Sequence, residues 1–321
     1  MRKPKRPHRL PSLAVAGAVA GLALIGSQTV GQGVPHQEAL APPAVTASSV
    51  FVMNAETGQV LYAKNPDTPF RMLSLTKLVA AYVLLNQMGD RLSDTVKINW
   101  PHLVRGSTAG LKRGDIWTLQ DLLYGMVLVS GNDAAMAIAD HVGRFLLSKE
   151  NKRGDSFQRF VQQMRTAAAS LGASHAQFAD PYGISPDNEA TARDVGLIAA
   201  RVFTDSRLLP AWQCAQQTFN IEGPHARTIT LKTTIEILGE QGVIGAKTGS
   251  YVSKNIYNLV TAWRAPNGET IVGVVLGSAS HPARYDDMHA IMAALPHDFP
   301  ILAEPTAGAT YRTSEAAGSC Q

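Results

Sequence analysis

The nineteen residues NLVTAWRAPNGETIVGVVL, Asn258 to Leu276, hold two apolar runs joined by Pro266-Asn267-Gly268. An Asn-Gly pair between apolar runs is a strong hairpin signal, because both residues tolerate the positive φ of a tight turn. The reading is a strand over Asn258–Arg264 and another over Thr270–Leu276. Upstream, Gly242–Lys247 reads as a third strand; downstream, Ala283–Ala294 reads as a helix. At the other end of the chain, Ser49–Asn54 and Gln59–Lys64 are short apolar-rich strands around Glu56-Thr57-Gly58, a second hairpin. The interior reads differently. Ser74–Gln87 (SLTKLVAAYVLLNQ), Thr118–Val129, Asp133–Val142, Ser156–Leu171 and Thr191–Phe203 are apolar at helical spacing or rich in small residues. Thr118-x-x-Asp121 supplies a start signal for its helix. The order predicts an α/β (α+β) fold, with a sheet assembled from both chain ends and a helical block inserted between them. No internal repeat is visible.

Composition narrows the function classes. The chain has 321 residues, 45% of them hydrophobic and 17% charged, which excludes a disordered chain and allows a substantial core. Net charge is +4, but Arg2, Lys3, Lys5, Arg6, His8 and Arg9 crowd the first nine positions, leaving the remainder near neutral. No basic stripe argues for nucleic acid. The two cysteines, Cys214 and Cys320, stand 106 positions apart. They form neither a zinc-ligand cluster nor a disulfide framework. Cys320 lies in a polar tail, so no bridge is expected.

The basic start precedes Leu13–Gly26, an unbroken apolar run of fourteen residues. Together they read as a secretory signal over 1–30, either cleaved or kept as a membrane anchor. In both cases the body of the chain is exported, to the periplasm or the outer face of the membrane. Residues 31–47 read as a linker, 48–297 as the functional domain, and 298–321 as a mobile tail.

Three short motifs carry chemistry. They are Ser74-Leu75-Thr76-Lys77, Ser130-Gly131-Asn132 and Lys247-Thr248-Gly249. Each alone has a structural reading: Ser74 as a helix cap, Ser130-Gly131-Asn132 as a turn, Gly249 as a positive-φ strand end. Their order and contexts say more. The first opens a long apolar helix, the second joins two helices of the inserted block, and the third ends a strand. Residues i and i+3 share a helix face, so Lys77 reaches Ser74. A serine hydroxyl needs a base to become a nucleophile. A lysine serves when burial and a nearby cation lower its pKa, and Lys247 is the candidate cation.

In this arrangement the chain resembles the penicillin-recognising serine enzymes. The flanks Thr57–Asn65 (TGQVLYAKN), Ser74–Leu78 (SLTKL), Ser130–Ala135 (SGNDAA) and Ala192–Asp194 (ARD) are similar to the low-molecular-mass D-alanyl-D-alanine carboxypeptidases and related murein endopeptidases. The resemblance covers Ser48 to Leu295. It implies a β-lactamase/DD-peptidase-like fold, an antiparallel sheet flanked by helices beside an all-helical subdomain, with the site in the cleft between. It implies that Ser74 is acylated, that Lys77 is its general base and that Ser130 relays a proton to the leaving group. Asn132 would bond the substrate amide, and Lys247 and Thr248 would hold the terminal carboxylate. Gly249 would let the substrate backbone lie close. The N–H groups of Ser74 and Ser250 would form the oxyanion hole. The implied partners are peptidoglycan stem peptides and, as covalent inhibitors, β-lactam antibiotics. Neither cofactor nor metal is implied.

The family usually has Pro-Ala before the nucleophile, where this chain has Met72-Leu73. It often has threonine where Tyr251 stands, which bears on carboxylate recognition. No further domain is expected after the catalytic one. That short form is similar both to the endopeptidases and to short carboxypeptidases. A β-lactamase would need a deacylating carboxylate. Glu189, the one glutamate in the matching stretch, lacks the downstream asparagine, so slow deacylation of penicillin is expected. A binding protein that holds stem peptides without turnover is the non-enzymatic alternative. Gly245-Ala246-Lys247-Thr248 is no phosphate loop, since glycine must precede the lysine. His281, Asp286, Asp287 and His289 read as surface residues.

Overall fold

The computed structural model describes Pro43 to Leu295. The signal or anchor over 1–30, most of the linker and the tail over 298–321 lie outside the described residues. Among the described residues no helix is long and apolar enough to cross a membrane.

The main sheet joins the two chain ends, as the strand order predicted. β1 (Ser49–Asn54) and β2 (Val60–Lys64) come from the start. β9 (Val243–Tyr251), β10 (Ile256–Arg264) and β11 (Thr270–Leu276) come from the end. Their spatial order is β2-β1-β11-β10-β9. Each neighbouring pair is antiparallel. The turn at Pro266-Asn267-Gly268 closes as expected, with Gly268 at φ 86° and its N–H bonded to the Ala265 carbonyl at 2.8 Å.

Side-chain alternation places one core on each face. Val50, Val52, Leu259, Trp263, Ile271 and Val275 pack with Tyr285, Met288 and Ile291 of helix α7 (Ala283–Ala294). Phe51, Met53, Val260, Val272, Val274 and Leu276 point the other way, into the larger core that contains the remaining helices. Those are α1 (Thr76–Met88), α2 (Leu119–Leu128), α3 (Asn132–Lys149), α4 (Ser156–Ser170), α5 (Ala192–Thr204) and α6 (Leu209–Gln213). Helix α2 starts where its signal placed it, with Thr118 Oγ1 accepting from the Asp121 N–H at 3.0 Å.

Three two-stranded ladders lacked a clear sequence signal: β3 (Phe70–Arg71) with β6 (Glu189–Ala190), β4 (Thr95–Lys97) with β5 (Ile116–Thr118), and β7 (Gln216–Ile221) with β8 (Arg227–Lys232). The first two are too short for a period to show. The third alternates polar with apolar residues but carries no apolar run. Strand β9 also runs four residues beyond the predicted end at Lys247. Gly249 therefore lies within a strand, opposite Asn258, and not at a positive-φ turn.

Two further expectations are corrected. Asp287 is buried, and accepts from Thr46 N–H, Thr46 Oγ1 and Ala47 N–H at 2.6, 2.9 and 2.9 Å, pinning the segment before β1 to α7. Cys214 is buried and disulfide-bonded. The chain's other cysteine, Cys320, lies outside the described residues.

Candidate active site

Ser74 does not cap a helix. It sits in a 3-10 turn, Leu73–Leu75, that runs directly into α1. The i, i+3 spacing brings Lys77 Nζ to 3.1 Å from Ser74 Oγ. Lys77 is fully buried. Its Nζ also donates to Asn132 Oδ1 and to the Tyr182 carbonyl, each at 2.8 Å. Both of those oxygens can only accept. A neutral amine has two N–H groups and one lone pair. With both N–H groups engaged by carbonyl oxygens, the lone pair faces the serine hydroxyl.

The electrostatics favour that neutral form. Burial, and then the Lys247 charge, push the Lys77 amine well below its ordinary value, against the opposing pull of Asp180 and Asp133. Burial and the Arg284 guanidinium push Lys247 down to about 7. The site thus crowds cations where no carboxylate bonds either lysine. Uncompensated burial of this kind converts a strong base into one that works near neutral pH.

The backbone around the serine is shaped by close approaches. Leu73, immediately before Ser74, is at φ 52°, and Ser130 is at φ 57°. Non-glycine residues seldom occupy this region, and each costs roughly 1–3 kcal/mol. Gly183 (φ 93°) lies against Leu73 so tightly that a Cβ would sit 1.9 Å from the Leu73 carbonyl oxygen. A Cβ on Gly249 would stand 2.9 Å from the Met72 carbonyl oxygen. What requires glycine there is the chain leading to Ser74, a neighbour not foreseen from sequence.

The remaining motif residues converge on the same place. The Ser130 hydroxyl is buried and has no hydrogen-bond partner. Asn132 is engaged at both ends, since Nδ2 donates to the Arg105 carbonyl at 2.8 Å. Asp133 is the structural residue of this turn. It accepts from Ala109 N–H and Leu111 N–H at 2.8 and 3.2 Å and from Thr108 Oγ1 at 2.5 Å. Strand β9 passes beside the Ser74 turn and carries Lys247, Thr248 and Ser250. A cleft of about 280 Å³ opens over Ser74, between Arg71, Ser107, Asn132, Tyr182 and Tyr251.

Two groups of site residues escaped the sequence reading. Arg284 is buried, donates to Ser250 Oγ at 2.6 Å, and is held by His281 Nε2 at 2.8 Å. An arginine always donates, so His281 accepts here and is not merely a surface residue. One signal was available: a cation in the first turn of α7 opposes the helix dipole, so another duty must hold it there. The second group is the loop 180–188. Buried Asp180 accepts from the N–H groups of Tyr182, Gly183 and Ser185 at 2.9, 2.5 and 2.6 Å, and from Asn188 Nδ2 at 3.0 Å. This cage aims the Tyr182 carbonyl at Lys77. Glu189 is exposed, on β6 opposite Arg71, and is not among the partners of Lys77.

Residues 36–280 match the peptidase family described as D-alanyl-D-alanine carboxypeptidase. The chain is 32% identical over 294 residues to a D-alanyl-D-alanine carboxypeptidase of Streptomyces sp. (strain K15), covering 87% of this chain and 96% of that one. It is 31% identical over 206 residues to a D-alanyl-D-alanine endopeptidase of Pseudomonas aeruginosa, covering 63% of this chain and 58% of that protein. Among solved structures, the Streptomyces K15 DD-transpeptidase superposes with a TM-score of 0.71 at 33% identity, covering 79% of this chain and 98% of that one. A D-alanyl-D-alanine carboxypeptidase from Mycobacterium tuberculosis has the same fold, with a TM-score of 0.68 at 23% identity over 80% of this chain and 94% of that one.

Proposed function

The chain belongs to the D-alanyl-D-alanine carboxypeptidase family, and from this premise we propose how its residues divide the work. The protein is a serine-type D-alanyl-D-alanine carboxypeptidase. The observation that carries the residue assignment is the Lys77–Ser74 pair, 3.1 Å apart, with both amine N–H groups held by carbonyl oxygens.

Lys77 takes the Ser74 proton as Oγ attacks the carbonyl of the penultimate D-alanine. The N–H groups of Ser74 and Ser250 receive the oxyanion. The unpartnered Ser130 hydroxyl passes a proton to the departing amine, D-alanine leaves, and an ester on Ser74 remains. Thr248, Ser250 and Arg284 hold the substrate's terminal carboxylate, beside the Lys247 charge. Asn132 braces Lys77 and borders the path of the peptide. Water then cleaves the ester and regenerates the serine. Peptidoglycan stem peptides fit this cleft as substrates, and β-lactams as covalent inhibitors. Export follows from the basic-apolar start of the chain, which acts as a cleaved signal or an anchor.

A second outcome for the ester has a specific motive. The Streptomyces K15 relative, 33% identical, is a DD-transpeptidase, and in the present reading an amine acceptor competes with water for the ester. Cleavage of cross-linked peptides, the endopeptidase activity, is the same chemistry with a larger leaving amine.

The test is to incubate the protein with benzylpenicillin and locate the added mass by peptide mapping. A stable adduct on Ser74, absent in Ser74→Ala, is expected. Unmodified protein and intact penicillin would overturn the assignment and favour binding without turnover. Defined muropeptides with and without an amine acceptor then separate hydrolysis, cross-link cleavage and transfer.

A further inference from the structure

Among the described residues, Arg71 is the one cation in the wall of the Ser74 cleft, and the reaction above leaves it idle. Its guanidinium lies over the Tyr251 ring, 5.0 Å from the centroid. Nη2 donates to the Ile184 carbonyl at 3.1 Å, and Nε is buried without a partner. Among the described residues it makes no ion pair. Glu189 stands opposite it in the β3–β6 ladder but is not bonded to it. Its backbone is firmly held. The Arg71 carbonyl accepts from Asn258 Nδ2 at 2.9 Å, and the next N–H, of Met72, donates to the Asn188 carbonyl at 2.8 Å.

Its position decides which part of a substrate it meets. Successive residues of β9 alternate in direction. Gly249 faces Met72 and Leu73, and Tyr251 on the same side stacks on Arg71. Ser250 points the other way, to Arg284. The two arginines therefore meet β9 from opposite sides, Arg71 on the side of the Ser74 turn. On the reading given above Arg284 serves the terminal carboxylate, which leaves Arg71, on the other side of the strand, to the acyl half of the peptide.

We propose that Arg71 is a specificity residue that binds a side-chain carboxylate on the residue preceding D-alanyl-D-alanine. This rests on the peptidase reading given above. The anionic groups of an unmodified peptide are carboxylates, and a planar guanidinium held flat on an aromatic ring is pre-organised to take one. Tyr251, which stands where relatives often carry threonine, serves as the platform.

The test compares Nα-acetyl-L-glutamyl-D-alanyl-D-alanine with its L-glutaminyl counterpart, which differs only in charge and one donor group. Wild type should prefer the glutamyl peptide by about tenfold or more in kcat/KM, the scale of a charge-assisted hydrogen bond. The preference should shrink with added salt. Arg71→Gln should abolish it and Arg71→Lys should keep part of it. No preference in wild type would overturn the inference, as would an equal loss on both peptides in Arg71→Gln. Benzylpenicillin labelling of wild type separates the two levels. An adduct on Ser74 without charge preference sinks only the role of Arg71. No adduct and no D-alanine release sink the peptidase reading as well.

Discussion

Two buried charged clusters in this molecule follow opposite rules. In the helical block, Asp115 is fully buried and accepts from Arg227 Nη1 and Nη2 at 3.0 and 2.8 Å and from the Lys112 N–H at 2.9 Å. It ties β8 to the turn before β5. Burial pushes its carboxyl up, but the bonds from Arg227 and Lys112 outweigh that and hold it below its ordinary value. Opposite charges meet, and every strong group has a partner. Around Ser74, like charges meet. Lys77 and Lys247 are buried together, Arg284 adds a third cation, and the Ser130 hydroxyl is left unpartnered. The first cluster lowers the energy of the fold. The second holds groups in states they would not adopt in water, which a reaction can use.

Breaking each cluster should therefore have different consequences. The largest effect is expected from Ser74→Ala and Lys77→Ala. Penicillin acylation should fall by about a thousandfold or more, measured by mass and stopped-flow, with the thermal midpoint little changed. Retained acylation in either variant would remove that residue from the reaction.

Asp180→Asn should lower acylation by roughly tenfold to a hundredfold, because the Tyr182 carbonyl loses its cage and Lys77 loses its aim. The purified variant would show this as a slower second-order rate with penicillin. An unchanged rate would make the loop a bystander.

The pH profile sharpens the contrast further. Lys77 must be neutral, so acylation should rise with pH through its lowered pKa. Lys247 must be charged, so acylation should fall as pH passes about 7 in the free enzyme. Lys247→Arg keeps the charge and should shift the falling limb to higher pH. A falling limb that stays in place would assign it to another group.

Asp115→Asn should leave the acylation rate of folded protein within about twofold, while costing about 3 kcal/mol of stability by stranding Arg227. Because the Asp115 pKa is lowered in the fold, its stabilisation is present above the ordinary carboxylate pKa. It is lost as pH falls through the native value. Denaturant melts at pH 7 and at acid pH check both statements. A variant as stable as wild type at pH 7 would contradict the first.

Much of this is legible in the amino-acid sequence. Asn267-Gly268 specified a turn, and the runs on either side specified strands, because turn chemistry and apolar patterning act locally. Ser74 and Lys77 were readable as a pair because helical spacing places i and i+3 together. Asp180, Asn188 and Arg284 were not readable in this way. Asp180 and Asn188 bond mostly within their own loop, where a lone Asp or Asn looks like turn punctuation, and only the contacts of that loop with Thr76 and Lys77, like that of Arg284 with Ser250, span distant parts of the chain. Arg71 was hidden for the same reason: its two-residue strand has no period, and its meaning depends on Tyr251 reaching back from β9. Asp287 was misread because acidic residues on helices are mostly solvated, and only the N-terminal segment folding over α7 shows otherwise.

The strand-helix-strand order, the three motifs and the chemistry they allow can be read from linear order, since each depends on neighbours within a few residues. Only the packed fold sets which carbonyls hold Lys77, that Lys247 depresses it, and that Arg71 borders the cleft. Those are through-space interactions in a low-dielectric interior, and their strength is set by distance and burial, neither of which linear order contains.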